Sequence, residues 1–209
     1  MPCRLFVIPA RDAPVAAVLR RGPSDWFQVI RWRTDDDTFD DGAWFHGRLY
    51  EAKCDVSPDG ELLVVAAFQG SRLRTDYTDS WTAVSRLPWL HALALWPVGT
   101  TYGGGGRFTD RRAVTLRLGA PMLRPHPDHP DHPADGLDVT AGSPPRHASS
   151  GEVADAEWSG RDHAGAVIFA RDGRLYRRRG SGDVEVCDLN DRRPSPAASP
   201  DWARRPLRE

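Results

Sequence analysis

In the stretch CDVSPDGELLVVAA, residues 54–67, the dipeptide Asp59-Gly60 stands between two runs of strand-forming residues. Glycine tolerates positive φ and aspartate bonds its own backbone, so Asp-Gly in this setting predicts a tight hairpin turn. A looser version, VIFARDGRLYRR, returns at 167–178 around Asp172-Gly173. The same grammar runs through most of the chain. RLFVIPA (4–10), APVAAVLR (13–20), WFQVIRWR (26–33), AWFHGRLYEAKCDV (43–56), ELLVVAAF (61–68), SWTAVSR (80–86) and LHALALWPV (90–98) are short β-rich runs between turn signals. AVTLRLG (113–119), AGAVIFA (164–170), RLYRRR (174–179) and DVEVCDL (183–189) continue the series. Such spacing is that of an all-β domain. In PWLHALALWP, Trp89, Ala92, Leu93 and Trp96 also fit helical spacing, but Pro88 and Pro97 bracket it too closely, and a buried strand is the expectation.

Two regions look unpacked. Residues 121–151 carry seven prolines and the last twenty residues, 190–209, carry four, with few apolar groups in either. Such composition buries too little surface to offset the entropy of ordering. The expected layout is one all-β domain over 1–209, a long Pro-rich loop or insertion at 121–151, and a surface tail at 190–209. Trp202 is expected to pin that tail into a groove.

SPDGELLVVAA resembles the hairpin of WD40-like and TolB-like β-propeller repeats, in which an S-P-D-G turn links two strands of one blade. ARDGRLYRR is a looser match without the Ser-Pro. Blades recur every ~40–50 residues. Asp59 and Asp172 are 113 residues apart, so they do not belong to neighbouring repeats unless the Pro-rich loop is an insertion. ALALWPVGTTYGGGGRFTDRRAVTLRL, between them, has the same order of strand, Gly-rich turn and strand. The resemblance covers roughly a quarter of the chain. It implies a propeller-like fold or incomplete propeller of antiparallel hairpins, with a twisted sandwich as the alternative, and binding at one end of the blades. RRGPSDWFQVIRW and WFHGRLYE resemble segments of uncharacterised bacterial proteins.

Several function classes lose ground on composition. Net charge is −1, and the 28 basic residues include a single lysine, Lys53, so the arginine count is partly a bias of GC-rich coding and is not evidence for phosphate binding. Balanced charge argues against nucleic acid as a partner. No apolar run approaches the ~20 residues of a membrane span. The first ten residues lack the apolar core of a signal peptide. A cytoplasmic chain without a membrane partner is the expectation. Cys3, Cys54 and Cys187 are scattered and form no C-x-x-C pair, which argues against a disulfide framework or zinc ribbon. No cofactor is expected.

Arg20, Arg21, Ser24 and Trp26, in RRGPSDW, form the strongest binding candidate: arginine beside tryptophan at a turn is the composition of recognition edges. HPDHPDHPADG (126–136) offers His126, His129 and His132 as weak metal-ligand candidates. An extended proline-rich path would space them about 9 Å apart, too far for one ion without bending. The glycine run at 103–106 lacks the lysine and helix of a phosphate loop and reads as a hairpin tip or bulge where backbones approach closely. The acidic stretch RTDDDTFDDG (33–42) lacks the glycine and glutamate of a calcium loop and reads as a solvated turn. Arg177-Arg178-Arg179 reads as a strand end entering solvent. There is no G-x-S-x-G elbow. The functional expectation is a non-catalytic binding module for a protein partner or small anionic ligand. The alternatives are a metal-dependent hydrolase using the 126–132 histidines, or an immunity or sensor component of a bacterial conflict system.

Overall fold

The computed structural model describes residues 1–22, 25–70, 76–130, 134–180 and 182–208. It is all-β, in four sheets that follow one another along the chain. Sheet A is the antiparallel meander β1 (Arg4–Pro9), β2 (Val15–Arg21), β3 (Trp26–Arg33) and β4 (Thr38–His46). Sheet B contains β5 (Arg48–Leu49), β6 (Asp55–Val56), β7 (Leu62–Phe68), β8 (Ser80–Arg86) and β9 (Ala94–Pro97). Sheet C contains β10 (Gly106–Phe108), β11 (Ala113–Leu116) and β12 (Asp138–Ala141), and β11–β12 is a parallel pair. Sheet D is a second meander: β13 (Trp158–Arg161), β14 (Val167–Arg171), β15 (Arg174–Arg179) and β16 (Gly182–Asp188). Among the described residues, helix is confined to two single 3₁₀ turns and the four-residue α1 (Asp201–Arg204). Among the described residues no helix is long and apolar enough to cross a membrane.

The sheets pack in the order D, A, B, C, and the sequence of two strands explains why. Successive side chains on a strand point to opposite faces. In β2, Ala17 and Leu19 enter a core shared with sheet B, while Ala16 and Val18 enter a second core shared with sheet D. In β7, Leu63, Val65 and Ala67 join the first core, while Leu62 and Val64 join a third, shared with sheet C. Both strands are therefore continuous apolar runs, VAAVL and LLVVAA, with nearly every residue buried. β11, the central strand of sheet C, alternates instead: Val114 and Leu116 are buried, and Thr115 is half-exposed beside Thr140.

The two Asp-Gly phrases form different turns. At Asp172-Gly173 both residues have positive φ (51° and 73°), and Arg171 pairs with Arg174 across them. That is the two-residue primed hairpin the dipeptide predicts. At 57–62 the Gly60 amide bonds the Ser57 carbonyl at 2.8 Å and the Ser57 amide bonds the Leu62 carbonyl at 2.9 Å, giving a longer loop. Only Gly60 of that dipeptide has positive φ, 76°. Ser57 and Asp59 complete it: Ser57 Oγ donates to Asp59 at 2.6 Å and accepts from the Leu62 amide at 2.9 Å. The phrases are thus not copies of one hairpin.

Other expectations need correction. The 121–151 segment is not wholly outside the core. It supplies β12, and Leu123, Leu137 and Val139 pack on the B–C core. Proline content hid these few apolar anchors. The 190–209 tail docks through Ala203, which is fully buried, and Leu207, whereas Trp202 stays 44% exposed. The Gly-rich stretch links β9 of sheet B to β10 of sheet C and is a crossover between sheets, not a hairpin tip. β9 covers only Ala94–Pro97, and residues 90–92 before it line a cavity.

A Cβ at Gly60 would lie 2.7 Å from Val15 Cβ, in addition to the strain of its positive φ. Gly60→Val should cost at least ~1 kcal/mol, read as a lower thermal midpoint; an unchanged midpoint would refute this account of the loop.

Candidate functional site

The predicted edge around residue 20 is divided by the pleat. Arg20 and Arg21 are adjacent in β2, so they face opposite sides of sheet A. Arg21 lies over Phe27, 6.0 Å from the ring centroid, on the side of the A–B core. Arg20 is only 1% exposed. Its guanidinium donates to the carbonyls of Leu189 (2.7 Å), Arg192 (3.1 Å) and Asn190 (3.3 Å), and to that of Gly22. It also sits 5.5 Å from the Trp44 ring centroid. Burial pulls its pKa down, with Cys3 opposing the shift. Arg20 therefore ties the chain leaving sheet D to sheet A and has few donors left for a ligand. Trp26 stacks on His46 at 4.6 Å and meets Trp44 edge-on, so it belongs to an aromatic cluster at the end of β3–β4. Ser24 lies outside the described residues.

The histidine stretch is bent, not extended. The backbone turns through 127–130, and the His126 and His129 rings stack with centroids 4.6 Å apart. Both face Asp76, which sequence spacing gave no means of finding: His129 Nε2 lies 2.9 Å from Oδ1 and His126 Nε2 lies 3.5 Å from Oδ2. Tyr77 presents its edge to both rings. His132 lies outside the described residues. The three ligand atoms of Asp76, His126 and His129 fall within 4.8 Å of one another, close enough for one ion on distance alone. The hydrogen bonds argue against an ion. His126 Nδ1 accepts the Asp128 amide at 3.1 Å, so a neutral ring carries its proton on Nε2, pointing at Asp76. A metal at that nitrogen would need the other tautomer, with the proton on Nδ1, and would break the bond from the Asp128 amide. The arrangement is instead a carboxylate latching two imidazoles. Although desolvation opposes it, the backbone amide of Asp76 and the His129 side chain hold the Asp76 carboxyl below its ordinary pKa.

This latch stands beside a cavity of about 300 Å³. Phe45 of β4 and Leu49, Val65, Trp81 and Leu95 of sheet B form its apolar walls, with Ala67 and Ala83 at the back. Residues 90–92, which leave β8 and do not yet pair in β9, close one side. Tyr77, His91, His129 and Pro130 also line it. Burial first, then the nearby positive charge of Arg204, lowers the His91 pKa, so its imidazole is held neutral. The cavity continues the A–B core where the side chains do not meet: Leu49, Val65, Ala67 and Ala83 belong to both.

No family model, no curated protein and no solved structure matches this chain. What it can do rests on its own geometry.

A second polar cluster was also invisible in the sequence. Asp55, 5% exposed, contacts His147 Nε2 at 2.6 Å, accepts the Phe108 amide at 2.7 Å and lies 3.6 Å from Arg107. Carboxylate and imidazole in contact are the base pair of many hydrolases. Here the imidazole's described contacts are Asp55 and Arg107, with no hydroxyl or thiol among them. The cluster ties residue 147 to sheets B and C. Lys53, the single lysine, is likewise structural: its ammonium donates to the carbonyls of Thr101 (2.6 Å), Gly103 (2.9 Å) and Tyr102 (3.2 Å). The glycine run lets that backbone close in, since a Cβ at Gly105 would lie 2.2 Å from the Lys53 carbonyl oxygen.

The acidic turn and the arginine run meet each other. Arg177 is buried and donates to Asp162, to Asp37 at 2.8 Å and to the Thr34 carbonyl at 2.7 Å. Asp37 also accepts the Trp32 indole at 3.1 Å. Arg177 thus does not enter solvent and Asp37 is not merely solvated; they join sheets D and A. The thiols are poor nucleophiles. Burial pushes Cys54 up to about 12 and raises Cys3 and Cys187.

Arg20→Ala should remove the guanidinium bonds to the Gly22, Leu189, Asn190 and Arg192 carbonyls and cost about 3 kcal/mol. Arg21→Ala should cost less than ~1 kcal/mol. Equal melting midpoints for the two variants would show that Arg20 does not tie the sheets.

Proposed function

We propose that this chain is a non-catalytic binding module whose site is the A–B cavity, and that its ligand is a small molecule with an apolar body and an anionic or hydrogen-bond-accepting head. The observation that carries this reading is the convergence of Tyr77, His91 and His129 on a cavity otherwise walled by aromatic and aliphatic side chains. Few polar groups in an apolar pocket is the composition of small-molecule sites, and about 300 Å³ lies at the small end of their range. The walls would recover contacts that the gap between the sheets now lacks. The neutral His91 and the Tyr77 hydroxyl would orient the head.

The buried thiols and the lack of a nucleophile among the contacts of His147 support binding over catalysis. The hydrogen bond from the Asp128 amide to His126 Nδ1, which a metal at Nε2 would break, weighs against the metal-dependent hydrolase. A protein partner has less support. The large apolar side chains exposed among the described residues, Met1, Tyr102, Met122, Val184 and Trp202, come from five separate stretches of the chain. Three unpaired cysteines suit a reducing, cytoplasmic setting. The four successive sheets support a propeller-like reading of the fold, as an incomplete series in which D, A, B and C are joined by three cores. An immunity or sensor role would use the same pocket as its input.

Ala92 lines the cavity from a half-buried position outside the strands. Anilinonaphthalene sulfonate, an apolar body with an anionic head, should bind the full chain with a fluorescence increase. Ala92→Trp, by filling the cavity, should weaken that binding at least tenfold while leaving the fold intact by circular dichroism. Unchanged binding by the folded variant would refute the site.

A further inference from the structure

A second cleft, distant in chemistry from the first, is lined by Arg31, Arg86, Arg112 and Arg205 with a single acidic side chain, Glu61. It has a volume of about 580 Å³. The four arginines come from separate parts of the chain: β3, β8, the loop between β10 and β11, and the residue after α1. Trp202, the lone tryptophan of the polar tail, lines the same cleft and remains 44% exposed, and Leu207 beside it anchors the tail to the B–C core.

Part of the guanidinium capacity of Arg31 and Arg112 has no acceptor among the described residues. Arg31 donates one nitrogen to the Leu87 carbonyl at 2.6 Å, but its Nε is buried with no protein acceptor. Arg112 Nη1 is also buried with no protein acceptor, and its Nη2 stands 3.8 Å from the well-exposed Glu61 carboxylate, beyond hydrogen-bond reach. Arg86 holds the tail in place through the Arg205 and Pro206 carbonyls, each at 3.2 Å. Buried N–H donors without acceptors are costly, and like charges gathered at one cleft repel. An anion would offset that repulsion. Planar guanidinium forks match phosphate oxygens, and an exposed indole matches a flat ring.

We propose that this cleft binds a phosphate-bearing small molecule of the nucleotide class, with its phosphates on Arg31 and Arg112 and its base against Trp202. The site is independent of the A–B cavity, so either can fail without the other.

Calorimetric titration of the full chain with ADP, pyrophosphate and adenosine tests the proposal. Pyrophosphate should bind, ADP should bind at least tenfold more tightly, and adenosine alone should not bind measurably. Arg112→Ala should weaken both phosphate ligands at least tenfold. Trp202→Ala should weaken ADP to the level of pyrophosphate without changing pyrophosphate, and Trp202→Phe should retain most of the ADP affinity. Because Trp202 is exposed, these variants should melt as the parent does. No binding of either phosphate ligand, or binding unchanged in Arg112→Ala, would overturn the site as adventitious. Equal affinity for ADP and pyrophosphate in the parent would overturn the assignment to nucleotides.

Discussion

The structure depends on two strands that are buried on both faces. β2 and β7 each send alternate side chains into two different cores, so each strand holds one sheet against two neighbours. The consequence is an arrangement in which sheets D, A, B and C are linked through three apolar cores rather than one. A strand in this position has no wet face, and a register slip of one residue exchanges its two cores. Small residues are needed where the sheets come close, which accounts for Ala16 and Ala17 in β2 and for Ala66 and Ala67 in β7, all buried. Polar ties then fix what apolar packing leaves loose. Arg20 and Arg177 join D to A, and Asp55 with His147 and Lys53 fasten the segments that cross from B to C.

This layout also produces the cavity. Twisted sheets diverge away from their line of closest packing. Between A and B, the space at that end is bounded by Phe45, Trp81 and the unpaired residues 90–92 instead of being filled. The loop carrying His129 and Pro130 reaches over it and is held by Asp76. The pocket is therefore a by-product of sheet packing that a latched loop converts into a site with a polar side.

How much of this was legible in the sequence follows from the range of each interaction. The strands were legible because their signal is local: WFQVIRWR, SWTAVSR and RLYRRR match β3, β8 and β15 residue for residue. β10, β12 and β13 were missed because they are three or four residues long and lie among Gly, Pro and Ser. The primed turn at Asp172-Gly173 was readable from its dipeptide, while the loop at Ser57 was not, because its shape depends on Ser57 and Asp59 side chains. The chemistry was largely hidden. Asp76 and His129 are 53 residues apart, and Asp55 and His147 are 92 apart, so only the fold brings them together. Arg20 and Arg21 show the opposite effect: adjacency in a strand turns their side chains to different faces, although both border one cleft with Arg4 and Arg193. Trp202, expected to pin the tail into a groove, lines the arginine cleft and stays 44% exposed.

The central claim is that the A–B cavity takes a small amphipathic ligand. Methyl NMR of the full chain titrated with anilinonaphthalene sulfonate tests it most directly. The account predicts that the largest shifts fall on the methyls of Leu49, Val65, Leu90 and Ala92, with those of the D–A core unmoved. Shifts that leave these four in place and appear elsewhere, or no shifts at saturating probe, would contradict it.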